Sequence, residues 1–520
     1  MPLLTMTRRS LMSAASAAAA VPSLSCSAKA TAAQFTPEEF GAAGNGITDD
    51  YDSFQRLAAA VSRLGSGMVM LRPGAHYRLD RHVTAGNGIT DVIFQGCSGL
   101  AIRGNSASIS VKGDFFRDSA TTRGLCGLRF EDCTDIDVRD LQLIGNVQQM
   151  SRPASLTEAP THGLLLGGCS NVIVDGVLVR HFATDGLYVR ASMNPDAAGR
   201  RRASRNLEVR NSKFLFNARQ GLSVIQLRGG IFEDCEFSNT GYVEAPSVSG
   251  PYGVHAPGAG IDVEPNGTLT VGQLVDVLTG DLLFRRCRLI GNLGKSFVAA
   301  AYTGAAPVSE KVSLDHCLLQ ADQASASRYG LIFDVPGGSI SNCTLDMGGK
   351  TAFIGWAASS DASPVLRDNL VTGHSGGPNR PFFLLRNGRG SPLLERNRFT
   401  GERHPQRSAK GPQMIVFDNP NATVRDNVFF LPKEAFPPQS DGLVPMIVAN
   451  ARSMTGNRYE TDLEPGTSRG RAFGVMYAAR SSAANETFRG TRPGIGDTVR
   501  PADLASGSAP LHDSRSPWSR

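Results

Sequence analysis

Phe284-Arg285-Arg286-Cys287-Arg288-Leu289 is a run in which apolar and polar residues alternate around one small residue, and similar runs return along the chain. The position of Cys287, here called the slot, recurs at intervals of roughly 23 to 30 residues, except for one interval of about double length before Cys287. The slot residues are Ser212, Cys235, Cys287, Cys317, Cys343, Asn369, Asn397, Asn427, Asn457 and Asn485. Short β-runs of this period cannot bury a face alone but can stack at about 4.8 Å per coil. The sequence therefore predicts an all-β fold, a single-stranded parallel β-helix.

The residue types in the slot favour a structural role. Cysteine fills a small apolar space inside a stack, and asparagine bonds the backbone of neighbouring coils. The chain contains no Cys-x-x-Cys pair of the kind that holds zinc, so catalytic or metal-binding cysteines are not favoured and no metal site is expected. Cysteines on adjacent coils could still form a disulfide.

A second repeat predicts another sheet. Gly163-Leu164-Leu165-Leu166, Gly186-Leu187-Tyr188-Val189, Gly221-Leu222-Ser223-Val224 and Gly260-Ile261-Asp262-Val263 align with one another. Because side chains alternate along a strand, the residues one and three places after each glycine point inward. The outward columns are His162, Asp185, Gln220 and Ala259; Leu165, Tyr188, Ser223 and Asp262; and Gly167, Arg190, Ile225 and Glu264.

Asp262 and Glu264 are the predicted catalytic pair. They stand two residues apart on one strand, so both carboxyls share a face with their Cα atoms about 6.5–7 Å apart. Side-chain rotation from that separation spans both retaining and inverting glycoside hydrolysis. Asp185 lies two coils away and is the third candidate carboxylate. Long segments at 145–161, 191–204, 239–259 and 265–280 flank the same strands, and insertions on one face of a solenoid commonly wall its binding site.

Other polar residues near these strands are candidates for substrate binding. A tyrosine can stack on a sugar ring, an arginine can bind a carboxylate, and a histidine can act as a base. The predicted binding residues are His162, Tyr188, Arg190, Arg219, Gln220, His255 and Asn266. The alternative is that these carboxylates have no catalytic role and only keep an exposed strand face of the protein soluble.

Charge gives little reason to expect a nucleic-acid partner. Lysine and arginine number 53 and aspartate and glutamate 47, a net charge of +6. Residues 1–30 carry Arg8, Arg9 and Lys29 and no acid, so the remainder has 50 − 47 = +3. With 7% aromatic and 19% charged residues, the composition argues against a surface for nucleic acid.

The N-terminus resembles a twin-arginine export signal. Thr7-Arg8-Arg9-Ser10-Leu11-Met12 precedes an alanine-rich stretch that ends in the small-residue pattern Ala28-Lys29-Ala30. The resemblance implies a periplasmic or extracellular protein. No other segment reaches the ~18 apolar residues of a membrane span. The expected organisation is a signal peptide at 1–30, a β-helix domain at 31–489 and a disordered tail at 490–520.

The run Phe40-Gly41-Ala42-Ala43-Gly44-Asn45-Gly46-Ile47-Thr48-Asp49-Asp50, with Gly67-Met68-Val69-Met70-Leu71-Arg72-Pro73-Gly74-Ala75-His76-Tyr77-Arg78-Leu79, resembles the pectate-lyase superfamily in its rhamnogalacturonase/epimerase-like branch. The resemblance implies a right-handed β-helix that acts on carbohydrate. Between the two runs, Thr48 or Asp49 is expected to cap a short helix whose apolar face closes the solenoid. Asp49 and Asp50 are therefore read as caps and not as a catalytic pair.

The favoured function is cleavage of a polysaccharide by an exported glycoside hydrolase. Carboxylates outnumber strong bases on the predicted face, which favours hydrolysis over elimination. A lyase would use Arg190, Arg219 or a histidine as base on an acidic polymer, with calcium as a possible cofactor; a hydrolase would need no cofactor. A non-catalytic glycan-binding β-helix is the third alternative, and the chain is expected to be a monomer or a homotrimer. The polygalacturonase motifs do not occur in order, since only Thr161-His162-Gly163 is similar to one of them.

Overall fold

The computed structural model describes most of the chain from residue 33 to residue 489. The described ranges are 33–80, 91–112, 126–149, 161–242, 258–265, 279–300, 302–303, 306–307, 309–325, 327–355, 361–374, 380–386, 388–402, 414–432, 447–460, 462, 475–477 and 481–489. The predicted signal peptide, the predicted tail, His255 and Asn266 lie outside these residues.

The described residues form a right-handed parallel β-helix in which each coil contributes a strand to three sheets. The first sheet contains Ile93–Gln95, Leu128–Glu131, Leu164–Gly167, Asp185–Arg190, Gln220–Val224, Ala259–Val263, Phe297–Ala300, Tyr329–Asp334, Thr351–Ile354, Phe383–Leu385 and Val475–Tyr477. The second contains Gln34–Phe35, Gly67–Met70, Ser98–Arg103, Thr134–Arg139, Ser170–Asp175, Ser204–Arg210, Leu227–Glu233, Thr279–Arg285, Ser309–Asp315, Ser339–Ser341, Val365–Arg367, Leu393–Glu395 and Ser482–Ala484. The long strands Ile415–Arg425 and Ile447–Thr455 run through both sheets.

The third sheet closes each coil. Its strands are Asn45–Asp49, His76–Leu79, Ser108–Val111, Gln142–Ile144, Leu178–Arg180, Lys213–Leu215, Glu236–Ser238, Arg288–Asn292, Leu318–Ala321, Thr344–Asp346, Leu370–Gly373, Arg398–Gly401, Val428–Phe430, Arg458–Glu460 and Thr487–Arg489. A small antiparallel pair, Tyr302–Thr303 with Ala306–Pro307, stands apart from the three sheets. The predicted fold class is confirmed.

The helix Tyr51–Leu64 packs its apolar face on the first coils, next to the short 3-10 helix Pro37–Phe40; a second 3-10 helix spans Val147–Gln149. Its N-cap differs from the expected one. Asp50 occupies the N-cap position but accepts hydrogen bonds from the backbone of Ala43, Gly44 and Arg78, so it ties the N-terminal segment to the third sheet. The carboxylate of Asp49 accepts instead from the N–H of Tyr51. Both aspartates are structural, as expected.

The slot lies at the turn between the second and third sheets, where its residues face the interior. In successive coils the residue after the slot donates its N–H to the preceding slot carbonyl, as Arg288 does to Cys235 at 2.9 Å and Leu318 to Cys287 at 2.9 Å. Cys235 and Cys287 therefore stand on adjacent coils in spite of the doubled interval between them. Cys97, Cys133 and Cys169 form a second ladder, at the turn between the first and second sheets, that the repeat did not reveal. All eight described cysteines are buried and free.

The last slot residue is Glu486, and the assignment of Asn485 was wrong by one place. Thr455 pairs with Ala484 and Arg458 with Thr487, so Asn457 stands opposite Glu486. Asn485 has a φ of 56°, and in earlier coils the residue before the slot is also left-handed, as Asp426 is at 57°. Asparagine and aspartate tolerate this conformation, which explains their frequency one place before the slot.

The asparagine part of the slot forms a buried hydrogen-bonded stack. Oδ1 of Asn427 accepts from the backbone N–H of Asn397 at 2.8 Å and from its side chain at 3.0 Å. Nδ2 of Asn427 donates to the carbonyl of Leu394 at 3.0 Å and to Oδ1 of Asn457 at 3.0 Å. Above them, Phe399, Phe429 and Tyr459 stack at 5.0 and 5.1 Å between ring centroids. The asparagine of each coil thus provides hydrogen-bond partners for backbone groups of the preceding coil.

Replacing Asn427 with Ala is expected to lower the free energy of unfolding by about 2–4 kcal/mol, because the N–H of Asn397 and the carbonyl of Leu394 lose their buried partners. Equilibrium unfolding in denaturant measures the change. Asn421→Ala is the matched control, since its amide donates one hydrogen bond, to the carbonyl of Arg389, from a partly exposed position. Equal losses in both variants would contradict a special role for the stack.

Candidate active site

The strands of the second repeat lie in the first sheet with the expected register. Asp185 stands opposite Gln220, Tyr188 opposite Ser223, and Ser223 opposite Asp262 on the next coil. Glycine is required at the start of these strands, because a Cβ at Gly163 would lie 2.1 Å from a methyl of Val179 and 2.7 Å from the carbonyl of Gly186. With the glycine facing inward, the residue before it is turned to the outer face.

This outer face is buried at Asp262 and half-buried at Glu264, so it is not the exposed strand face of the alternative in which the carboxylates only keep the protein soluble. Asp262, Asp185, Gln220 and Ser223 each have 0% exposed surface, while Glu264 is half-buried at the end of the strand Ala259–Val263. Nε2 of Gln220 donates to Oδ2 of Asp262 at 2.8 Å. Three nearby polar atoms are buried with no hydrogen-bond partner within the described part of the chain: Oδ1 of Asp262, Oε1 of Gln220 and Oγ of Ser223.

The environment of Asp262 favours its protonated form. Burial, and next the negative charge of Glu264, raise the pKa of Asp262 well above its ordinary value. The charges of Lys295 and Arg219 act in the opposite direction but do not overcome burial. Asp262 can therefore hold a proton at pH values where an ordinary aspartate has lost it.

Lys295 is a member of the site that the sequence did not reveal. It stands on the coil after Asp262, two residues before Phe297, which pairs with Ile261. Burial lowers the pKa of Lys295, and the charges of Asp262 and Glu264 oppose this shift only in part. The long insertion between the two coils hides this adjacency in the sequence, where 32 positions, 295 − 263, separate Lys295 from the end of its neighbouring strand.

Asp185 is held in an ion pair. Nε and Nη2 of Arg219 donate to its two carboxylate oxygens at 2.8 and 2.7 Å, and Nδ1 of His162 lies 3.3 Å from Oδ2. Burial opposes ionisation, but the charge of Arg219 and the hydrogen bonds from His162 and Arg219 outweigh it, so the pKa of Asp185 lies below its ordinary value. Asp185 therefore favours its charged form and lies two coils from Asp262.

The other predicted binding residues lie along the same face toward the N-terminal coils. The rings of His162 and Tyr188 stack at 4.3 Å with 6° between their planes. Arg190 pairs with Glu131 and donates to the carbonyl of Ala191 at 2.7 Å. The structure thus brings His162, Asp185, Tyr188, Arg219, Gln220, Asp262 and Glu264 together around one stretch of the first sheet, with Arg190 at its edge.

Several solved structures resemble this chain over most of its length. The mannuronan C-5 epimerase AlgE4 A-module of Azotobacter vinelandii shares 15% identity over 88% of this chain and 96% of that chain, with a TM-score of 0.42. The tailspike protein gp49 of Pseudomonas phage LKA1 shares 11% over 87% and 81%, with a TM-score of 0.48. The catalytic unit of a GH87 alpha-1,3-glucanase of Streptomyces thermodiastaticus shares 12% over 89% and 70%, with a TM-score of 0.40.

With identities of 15% or less and TM-scores below 0.5, these likenesses identify neither a family nor a reaction. No protein-family model and no curated protein matches the sequence. No group of metal-binding side chains occurs among the residues that the structure describes, and none of their helices is long and apolar enough to cross a membrane.

Proposed function

We propose that this protein is an exported carbohydrate-active enzyme that hydrolyses a polysaccharide at Asp262 and Glu264. The observation that carries the proposal is the group of buried polar atoms on Asp262, Gln220 and Ser223 for which the described residues provide no hydrogen-bond partner. Each such atom costs about 1–3 kcal/mol when it has no partner. Groups of this kind are retained where a ligand supplies the missing partner or where chemistry requires them.

Asp262 is the general acid in this proposal, and Glu264 is the base or nucleophile. Hydrolysis of a glycosidic bond requires one carboxyl that gives a proton to the leaving oxygen and one carboxylate that attacks or activates water. The raised pKa of Asp262 suits the first role. Glu264 is nearer to solvent and lies beside the positive charge of Lys295, which suits the second.

Asp185, Arg219 and His162 support the site from the preceding coils. Because Arg219 binds both oxygens of Asp185, its guanidinium has a fixed orientation, and its charge also acts on Asp262. An arginine held in such an ion pair is a poor base, so the structure gives no support to elimination with Arg219 as the base. The same holds for Arg190, which is paired with Glu131. We propose His162, Tyr188 and Gln220 as substrate contacts.

Elimination on an acidic polymer remains the second candidate, because Lys295 could serve as its base. A half-buried lysine with a lowered pKa spends more time as the neutral amine, the form that removes a proton. In that reaction the amine would take the proton next to the substrate carboxylate, and Asp262 would protonate the departing oxygen. Hydrolysis is preferred because the negative charge of Glu264 acts to keep Lys295 protonated.

The test is to offer residues 31–520 a panel of plant, algal and bacterial polysaccharides while reducing ends and unsaturated-uronate absorbance are followed. We expect reducing ends to rise without absorbance. Both signals together would assign elimination and contradict the hydrolase. Neither signal on any polymer would contradict an enzyme and favour a glycan-binding protein. The export part of the proposal rests on Arg8 and Arg9 and the segment that follows them.

A further inference from the structure

Positive charges continue from Lys295 along the coils on the C-terminal side of the site. Arg328, Lys350 and Arg380 each lie in the turn that leads into a first-sheet strand, on three successive coils. The N–H of Thr351 donates to the carbonyl of Arg328 at 3.0 Å, and the hydroxyl of Thr351 donates to the carbonyl of Pro381 at 2.6 Å. We call Arg328, Lys350 and Arg380 the cation lane.

The lane borders the outer face that contains the candidate active site. Val298 pairs with Asp262 in register, and Val298, Ile332 and Phe353 belong to one apolar cluster outside the solenoid interior. Tyr329 packs against this cluster, with its ring centroid 5.4 Å from that of Phe353. The guanidinium of Arg328 lies over the ring of Tyr329 at 5.7 Å.

The lane residues act on one another as like charges. Burial lowers the pKa of Arg328. The positive charges of Arg380 and Arg386 lower this pKa further, whereas Tyr329 raises it. Burial also lowers the pKa of Lys350; Asp322 opposes this effect and Arg380 adds to it. Like charges held close together reduce stability.

The distance between successive cations of the cation lane matches the repeat of a polymeric ligand. Successive strands of a sheet are about 4.8 Å apart, so one cation follows another at nearly that rise. This rise is close to the length of one sugar unit in an extended glycan chain. Half-buried Tyr329 adds a ring beside the charges, and aromatic rings bind the apolar faces of sugars.

We propose that the cation lane binds the anionic groups of an acidic polysaccharide, carboxylates or sulfate esters, and so directs the polymer from Asp262 toward the C-terminal coils. The proposal rests on the function proposed above and adds the substrate class. It makes Arg328, Lys350 and Arg380 specificity-determining residues that bind charged sugar units on one side of the scissile bond.

The test is calorimetric binding of defined oligosaccharides to residues 31–520 carrying Glu264→Gln, which prevents consumption of the ligand. The probes are oligouronates, their neutral methyl esters and sulfated galactan oligosaccharides. The lane variant carries Arg328→Gln and Arg380→Gln. The control variant carries Arg63→Gln and Arg288→Gln, which remove the same charge from exposed positions on the helix and the third sheet. Thermal midpoints verify that all variants fold.

We expect an acidic probe to bind the parent protein more tightly than a neutral one and to lose roughly 10- to 100-fold in affinity in the lane variant only. Added salt should weaken binding to the parent more than to the lane variant. Tight binding of uronate or of sulfate probes identifies which anion is the ligand. Equal affinity for the acid and its methyl ester, equal losses in both variants, or no binding of any acidic probe would overturn the proposal.

The two proposals fail in distinguishable ways. Lane-dependent binding of an acidic probe that the wild-type protein does not cleave would leave the lane in place and contradict the enzyme. Cleavage of a neutral polymer, without lane-dependent binding of any acidic one, would leave the enzyme in place and overturn the lane.

Discussion

Asp262→Asn is expected to reduce polysaccharide cleavage by about 10²- to 10⁴-fold, the usual contribution of a positioned general acid. Asparagine retains an oxygen that can accept the hydrogen bond from Gln220 but cannot donate a proton to a leaving group. In the wild type, the rate should fall as pH rises through the raised pKa of Asp262. The variant should lose that part of the pH profile. Rates of reducing-end release across pH measure both effects.

The same substitution should not destabilise the protein at neutral pH. The pKa of Asp262 is higher in the folded state than in the unfolded state, so the protonated side chain favours folding. This contribution to the free energy of unfolding is complete at pH values below the unfolded-state pKa and is lost as pH rises through the folded-state pKa. Asparagine removes this loss, so the thermal midpoint at neutral pH should be equal or higher. Asp281→Asn is the matched control, since Asp281 is exposed on the second sheet and should affect neither quantity. Full activity in both Asp262→Asn and Glu264→Gln would refute the site.

Arg219→Met is expected to lower the free energy of unfolding by about 3–5 kcal/mol, because it leaves the buried carboxylate of Asp185 without its main partner. The double variant Arg219→Met with Asp185→Asn should recover much of this loss, since no buried charge remains. Denaturant unfolding of the single and double variants measures the recovery. A deficit that stays the same when Asp185 is neutralised would show that lost packing, and not the pair, is responsible.

The pH dependence gives a further check on this pair. Because the pKa of Asp185 is lowered in the folded state, its charged form stabilises the fold at pH values above the ordinary pKa of an aspartate. This contribution is lost as pH falls through the folded-state pKa of Asp185. Removing Arg219 should raise the pKa of Asp185, so protonation in mild acid should relieve part of the deficit. Unfolding at neutral and mildly acidic pH should therefore show a smaller difference between wild type and Arg219→Met in acid.

The repeat pattern was sufficient to predict the fold because a stacked coil uses the same small residue at the same turn. Asn427 and Cys287 could be assigned to one column from spacing alone, and the structure confirms that column. The same method misplaced the last slot, because Asn485 has the residue type of the slot but the conformation of the position before it. Register is a property of pairing, and one residue type can suit two neighbouring positions.

The candidate site could be predicted only in part. The alignment of four glycine-led strands placed Asp185, Ser223 and Asp262 on one face, since strand alternation depends on local order. The burial of Asp262 and the pairing of Asp185 with Arg219 depend on contacts between different coils. The order of residues along one strand does not reveal such contacts. Lys295 was missed because its neighbour in space is separated from it by an insertion. Whether His255 and Asn266 belong to the site stays a prediction.

The buried cysteines of the two ladders can serve as probes of local opening of the coils. A thiol with no solvent contact reacts with an alkylating reagent only when its own coil opens, so each labelling rate reports the free energy of that opening. Cys97, Cys133 and Cys169 sample the N-terminal coils, and the column from Cys235 to Cys343 samples the middle. Mass spectrometry of the labelled peptides would then show whether the rod frays from one end or separates at the insertion between Cys235 and Cys287.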